Sequence, residues 1–121
     1  MDFSETPLVD LAEKVLSEKY DFERGPKTLR GNSGKTWTFN AFVNSNKYGR
    51  FGIFIRDWKR EISITQLRQL HKACRDAHLD GGIMVCNIAT DFSRDYSSQF
   101  GIQLLSRGHL VSKLRNNEFQ F

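Results

Sequence analysis

Gly49-Arg50-Phe51-Gly52-Ile53-Phe54-Ile55-Arg56-Asp57-Trp58-Lys59-Arg60 is the stretch on which the reading of this chain turns. Arg50 to Arg56 has the composition of a strand and follows Asn44-Ser45-Asn46-Lys47-Tyr48-Gly49, a run of turn-forming residues. Ahead of the turn, Thr36-Trp37-Thr38-Phe39-Asn40-Ala41-Phe42-Val43 is rich in β-branched and aromatic residues, so the two runs predict a hairpin. Strand parity puts Gly52, Phe54 and Arg56 on one face and Phe51, Ile53, Ile55 and Asp57 on the other.

Outward from the hairpin, elements alternate. Thr6 followed by Pro7 predicts an N-cap with proline at the first helical position, and Leu8, Leu11, Ala12, Val15 and Leu16 recur at helical spacing, giving a helix to about Tyr20. A short extended piece precedes the breaker cluster Gly31-Asn32-Ser33-Gly34. After the hairpin, Ser63 or Thr65 caps a helix with Ile64, Leu67, Leu70, Cys74 and Ala77 at a period near 3.6, ended by Gly81-Gly82. Ile83-Met84-Val85-Cys86 is the apolar run expected of a strand covered on both faces. Thr90 begins a helix with Phe92, Tyr96 and Phe100 on one side, stopped by Gly101. Ile102-Gln103-Leu104-Leu105 is a last strand, and a helix over about Gly108 to Leu114 closes the chain. The order α-β-β-β-α-β-α-β-α, an antiparallel meander feeding a parallel βαβ unit, predicts a three-layer α/β/α sandwich with a mixed central sheet.

At 121 residues, 39% of them hydrophobic, the chain is expected to form one globular domain over 1–121. Without an apolar run of membrane-spanning length, or the basic-then-apolar start of a signal peptide, the expectation is a soluble, cytoplasmic protein with no membrane partner. Cys74 and Cys86 show no ligand spacing and read as reduced core thiols, and the scattered His71, His78 and His109 form no metal pattern.

Charge is unevenly spread. Residues 1–23 hold seven acids against two lysines, whereas residues 24–60 hold nine bases against the single acid Asp57. So basic a middle third suits a phosphate-rich partner, although a solvated basic face would look the same.

The element order, Gly31-Asn32-Ser33-Gly34 ahead of Phe39-Asn40-Ala41, the strand ending Ile53-Phe54-Ile55-Arg56-Asp57-Trp58-Lys59-Arg60, Gly82-Ile83-Met84-Val85 and Phe100-Gly101-Ile102-Gln103-Leu104-Leu105 together resemble the Mrr-type branch of the restriction-endonuclease-like, or PD-(D/E)XK, superfamily. They are also similar to archaeal Holliday junction resolvases. The resemblance runs from the first helix to the last. It implies a nuclease fold in which an aspartate on the second strand and the acid of an acid-x-Lys motif on the third hold Mg²⁺, with the lysine at the attacking water. Carried onto this chain, those positions are Asn40, Phe54 and Arg56. A neutral amide, a benzyl group and a permanently protonated guanidinium replace two carboxylates and a lysine, so metal chemistry is lost while a phosphate contact survives.

Asp57-Trp58-Lys59 spells acid-x-Lys literally, and a strand bulge would let Asp57 take the metal and Lys59 the water. Parity favours instead a surface pair at the strand end, with Trp58 packed on the following helix. Glu13 is the other acid to weigh as a metal ligand, and it sits among solvated helix charges. Gly31-Asn32-Ser33-Gly34 either lines a phosphate or simply turns the chain. The expected function is nucleic-acid binding, DNA foremost, without catalysis or cofactor, through Arg30, Lys35, Arg56, Lys59 and Arg60, with Lys47 and Arg50 as a second group. The alternatives are a Mg²⁺-dependent endonuclease built on Asp57 and a migrated acid, and a protein-binding subunit using the acidic first helix and the aromatic tail ending Phe119-Gln120-Phe121. The resemblance also implies a homodimer.

Overall fold

The structure, a computed structural model, describes residues 3–118. The elements are α1 (Leu8–Leu16), β1 (Asp21–Arg30), β2 (Thr36–Ser45), β3 (Gly49–Glu61), α2 (Ile64–Asp76), β4 (Gly81–Ile88), α3 (Asp91–Gln99), β5 (Ile102–Ser106) and α4 (Arg107–Glu118). The five strands lie in the order β1-β2-β3-β4-β5. The first three pair antiparallel, and β3-β4 and β4-β5 pair parallel, which is the mixed three-layer α/β/α sandwich expected. Among the described residues no helix is long and apolar enough to cross a membrane.

Each sheet face carries its own core. On one, α1 and α4 (Leu8, Leu11, Leu110) pack on Ala41, Val43, Ile53 and Val85. On the other, α2 (Leu67, Leu70, Cys74) packs on Phe39, Phe42, Phe54 and Met84. Fully burying a side chain such as Phe39 contributes about 1.5–3 kcal/mol. Helix α2 lies close enough to the sheet to require glycine there: a Cβ on Gly82 would meet Cys74 and Leu70 at 3.0 Å.

Several boundaries differ from expectation. Helix α1 begins one residue later, because Pro7 is extended (ψ 138°) and is itself the N-cap, and it stops at Leu16, with Ser17 as the C-cap. The unsatisfied Leu8 N–H reaches across the chain to Asp57 Oδ2 at 3.3 Å. Strand β1 runs ten residues rather than a short piece, and β3 continues past Arg56 to Glu61, where it pairs with Ile88. Of the two candidate caps for α2 the structure uses Ser63, whose side chain accepts from Gln66 N–H. Gly81 and Gly82 do not end that helix but open β4; the chain turns at His78 with φ 59°. Helix α3 departs in part from the expected face: Tyr96 packs on the α2-side core and Phe100 lies against His71, but Phe92 does not join them. Phe92 is 70% exposed, whereas Ser93 and Ser97 are buried, since their short side chains admit close approach and their hydroxyls bond the Thr90 and Arg94 carbonyls at 2.9 Å.

Candidate nucleic-acid interface

The alternation of β2 skips a residue at Asn40. Trp37, Phe39 and Phe42 pack on the α2 side, while Ala41 and Val43 pack on the α1 side. Ladder pairing between β2 and β3 ends at Ala41 and Ile53, and Asn40 Oδ1 then accepts the Ile55 N–H at 2.8 Å in place of a backbone carbonyl. The same oxygen accepts from Arg56 Nη1 at 3.0 Å. Arg56 Nε donates to Gln66 Oε1 of α2 at 2.9 Å, and the guanidinium lies 4.5 Å from the Phe54 ring centre. Arg56 therefore contacts both of the other positions singled out by the resemblance, Asn40 and Phe54.

All hydrogen-bond partners of Arg56 are neutral, and among the described residues it enters no ion pair. Burial pulls its pKa below the usual arginine value because the charge is partly stripped of water without an acid to offset the loss. Trp58 and Arg60 continue the same face, with Arg60 stacked 4.6 Å from the Trp58 ring centre. A divalent cation does not fit here: the amide oxygen of Asn40 already accepts two hydrogen bonds, Phe54 offers no ligand and Arg56 is a cation.

Asp57 faces the other way, as parity requires. Its carboxylate accepts from Asn87 Nδ2 (2.9 Å) and the Leu8 N–H, and meets Arg107 at 3.4 Å. The expected surface pair with Lys59 is replaced by these contacts, because β3 extends far enough to bring Asp57 under α1 and beside α4. Arg107 also donates to the carbonyls of Phe3 and Thr6, so the cluster ties the amino end of α1 to α4. Glu13, the other candidate acid, is taken by Arg24 at 2.9 Å. Among the described residues no three His, Cys, Asp or Glu side chains gather as a metal site.

Folding also redistributes the basic middle third. Arg24 pairs with Asp10 and Glu13, and Lys27 and Arg50 both pair with Glu23, so acids of residues 1–23 neutralise three of the nine bases. Arg50 stands on β3 ten residues before Arg60, up to about 33 Å along the strand, with Lys47 in the turn beyond it. Arg30, Lys35, Lys47, Arg56, Lys59 and Arg60 remain outside ion pairs among the described residues. Lys59, by alternation, projects from the face opposite Arg56 and Arg60.

The turn Gly31-Asn32-Ser33-Gly34 is latched to the end of α2, which consumes the amides a phosphate would need. Ser33 N–H and Oγ donate to the Asp76 carboxylate at 2.9 and 2.6 Å, and Asn32 N–H donates to the Asp76 carbonyl at 3.0 Å. What sequence reading missed lies beside that latch. Arg68, Lys72 and Arg75 stand at i, i+4 and i+7 of α2 and form one exposed basic stripe. A charge total over 61–121 conceals it; helical spacing would have revealed it. The aromatic tail at Phe119 and Phe121 lies outside the described residues.

No protein-family model matches the sequence, and no curated protein matches it. Two solved structures are similar. One is the crystal structure of a protein of unknown function, AF1548, with a TM-score of 0.70 and 10% identity over 88% of this chain. The other is the crystal structure of a repair endonuclease from Pyrococcus abyssi, with a TM-score of 0.59 and 12% identity over 88% of this chain. The chain has a nuclease-like fold. It spans 64% of the first structure and 47% of the second, so less than two thirds of either.

Proposed function

We propose that this chain binds nucleic acid, DNA foremost, on a nuclease-like fold whose metal-dependent catalytic positions have become Asn40, Phe54 and Arg56. The observation that carries the reading is the Arg56 guanidinium, held by the neutral Asn40 and Gln66, without an acid partner, at the place where the resemblance puts the lysine. A cation so placed keeps its charge available for a phosphate, and Arg60 on the same face adds a second contact. Arg30 and Lys35 extend the field, whereas Lys59 projects from the opposite face of β3, Arg50 is already engaged by Glu23, and Lys47 stands with it at the far end of β3.

Fluorescence anisotropy with a labelled duplex across a salt series tests this. The expected slope of log affinity against log salt is about −0.9 for each phosphate contacted. Arg56→Met combined with Arg60→Ala is expected to lower affinity at least tenfold. An absence of duplex binding at low salt refutes the reading. Plasmid nicking in Mg²⁺ or Mn²⁺ tests the loss of catalysis, and cleavage abolished by Asp57→Ala would restore the enzyme alternative.

A further inference from the structure

Between the β1-β2 hairpin end and the second half of α2 lies a groove of about 500 Å³, within the range of small-ligand sites. Trp37 forms one wall. Its Nε1–H donates to Asp76 Oδ2 at 2.8 Å, which fixes the indole, and the Lys35 ammonium lies over its ring, 5.2 Å from the centre. Lys72 and Arg75 line the opposite side from α2, and His71 stands beside them. Lys35, Lys72 and Arg75 enter no ion pair among the described residues. The one acid of the groove, Asp76, is already committed to Trp37 and to Ser33 N–H and Oγ.

An aromatic wall ringed by unpaired cations suits a flat ring that carries phosphate on both sides. Bases in a duplex keep their faces stacked and cannot reach such a wall; an unpaired base can. Arg56 contacts α2 at Gln66, and the nine residues to Arg75 place the groove about 14 Å along the helix. That is about four stacked nucleotide steps at 3.4 Å each.

We propose that this groove seats an unpaired nucleotide of a single strand, its base stacking on Trp37 as the exposed Lys35 side chain swings off the ring, and its flanking phosphates on Lys35, Lys72 and Arg75. The proposal rests on the nucleic-acid reading above and names a structure that the site selects.

The test compares the oligonucleotide dT12 with a 12-base-pair duplex, using the full chain. Tryptophan fluorescence is expected to be quenched by dT12. Trp37→Leu is expected to weaken dT12 about tenfold while changing duplex affinity less than threefold. Because Trp37 also bonds Asp76, the surface double variant Lys72→Ala/Arg75→Ala provides a second arm, expected to reduce the dT12 salt slope by about 1.4, or 0.7 per phosphate. Unchanged dT12 affinity in both variants, or a parallel loss for duplex, overturns the proposal. Duplex binding without dT12 binding overturns it and leaves the duplex reading standing, whereas binding of neither removes both. A twelve-residue polyglutamate that competes as well as dT12 also overturns it, since the groove would then be a general anion site.

Discussion

Removing the Asp57 carboxylate separates a structural from a catalytic reading of the Asp57-x-Lys59 motif. In Asp57→Ala, Leu8 N–H loses its acceptor, an external N-cap whose loss costs about 1 kcal/mol. The Asn87 amide loses one of two acceptors, since it still donates to the Trp58 carbonyl at 2.7 Å, adding about 0.5–1 kcal/mol. The Arg107 pair, at 3.4 Å with the aspartate side chain 49% exposed, adds only a few tenths after discounting for solvent screening, about 0.3 kcal/mol. The total is about 2 kcal/mol, or a fall in Tm on the order of 6–10 °C for a domain of this size. Urea unfolding followed by circular dichroism measures it, and Asp57→Asn, which retains an acceptor for Leu8, should lose about half as much.

The pH dependence has a definite sign. The Asn87 amide first, then the Leu8 N–H and Arg107, hold the Asp57 carboxyl below its ordinary range. A depressed folded-state pKa gives stability that is fully present above the unfolded value of about 3.9 and is lost as pH falls through the lower folded value. The gap between wild type and Asp57→Ala should therefore be constant from about pH 5 upward and close in acid. An Asp57→Ala protein as stable as wild type refutes the capping argument, and refutes it in favour of catalysis if metal-dependent nicking disappears with it.

Arg56→Met should leave unfolding free energy unchanged or slightly raised, because it removes a partly buried charge that burial disfavours while Asn40 keeps its bond to Ile55; the same variant should weaken duplex binding, so denaturation and anisotropy move apart. Gly52→Ala should destabilise by about 1–3 kcal/mol in a urea melt, since the new Cβ would lie 2.6 Å from the Phe39 ring. Burial pushes the thiols of Cys74 and Cys86 up to about 12 and about 11, so at pH 8 neither should react with an aromatic disulfide reagent until guanidinium unfolds the chain; rapid native-state labelling, read by mass spectrometry, would contradict the packing.

Local pattern determined much of this molecule. The order of elements, the start of α3 at Thr90, and the faces assigned to Phe51 through Asp57 of β3 follow from local signals and from periods of 3.6 and 2, which neighbouring residues set among themselves. Parity alone put Asp57 across the sheet from Arg56, and the fold keeps it there. The tertiary structure decided what long-range partners decide. Asp57 is claimed by Leu8, Asn87 and Arg107, residues 30 to 50 positions away. Acids of residues 1–23 pair with three of the nine bases of residues 24–60 where α1, β1 and β3 meet, because oppositely charged surfaces that fold together pair. The fully buried positions of α3 fell to Ser93 and Ser97, with Tyr96 partly buried and Phe92 exposed, a choice set by how closely the helix approaches the sheet. The groove at Trp37 exists only because a hairpin and a helix forty residues apart are latched through Asp76, a contact that no periodicity encodes.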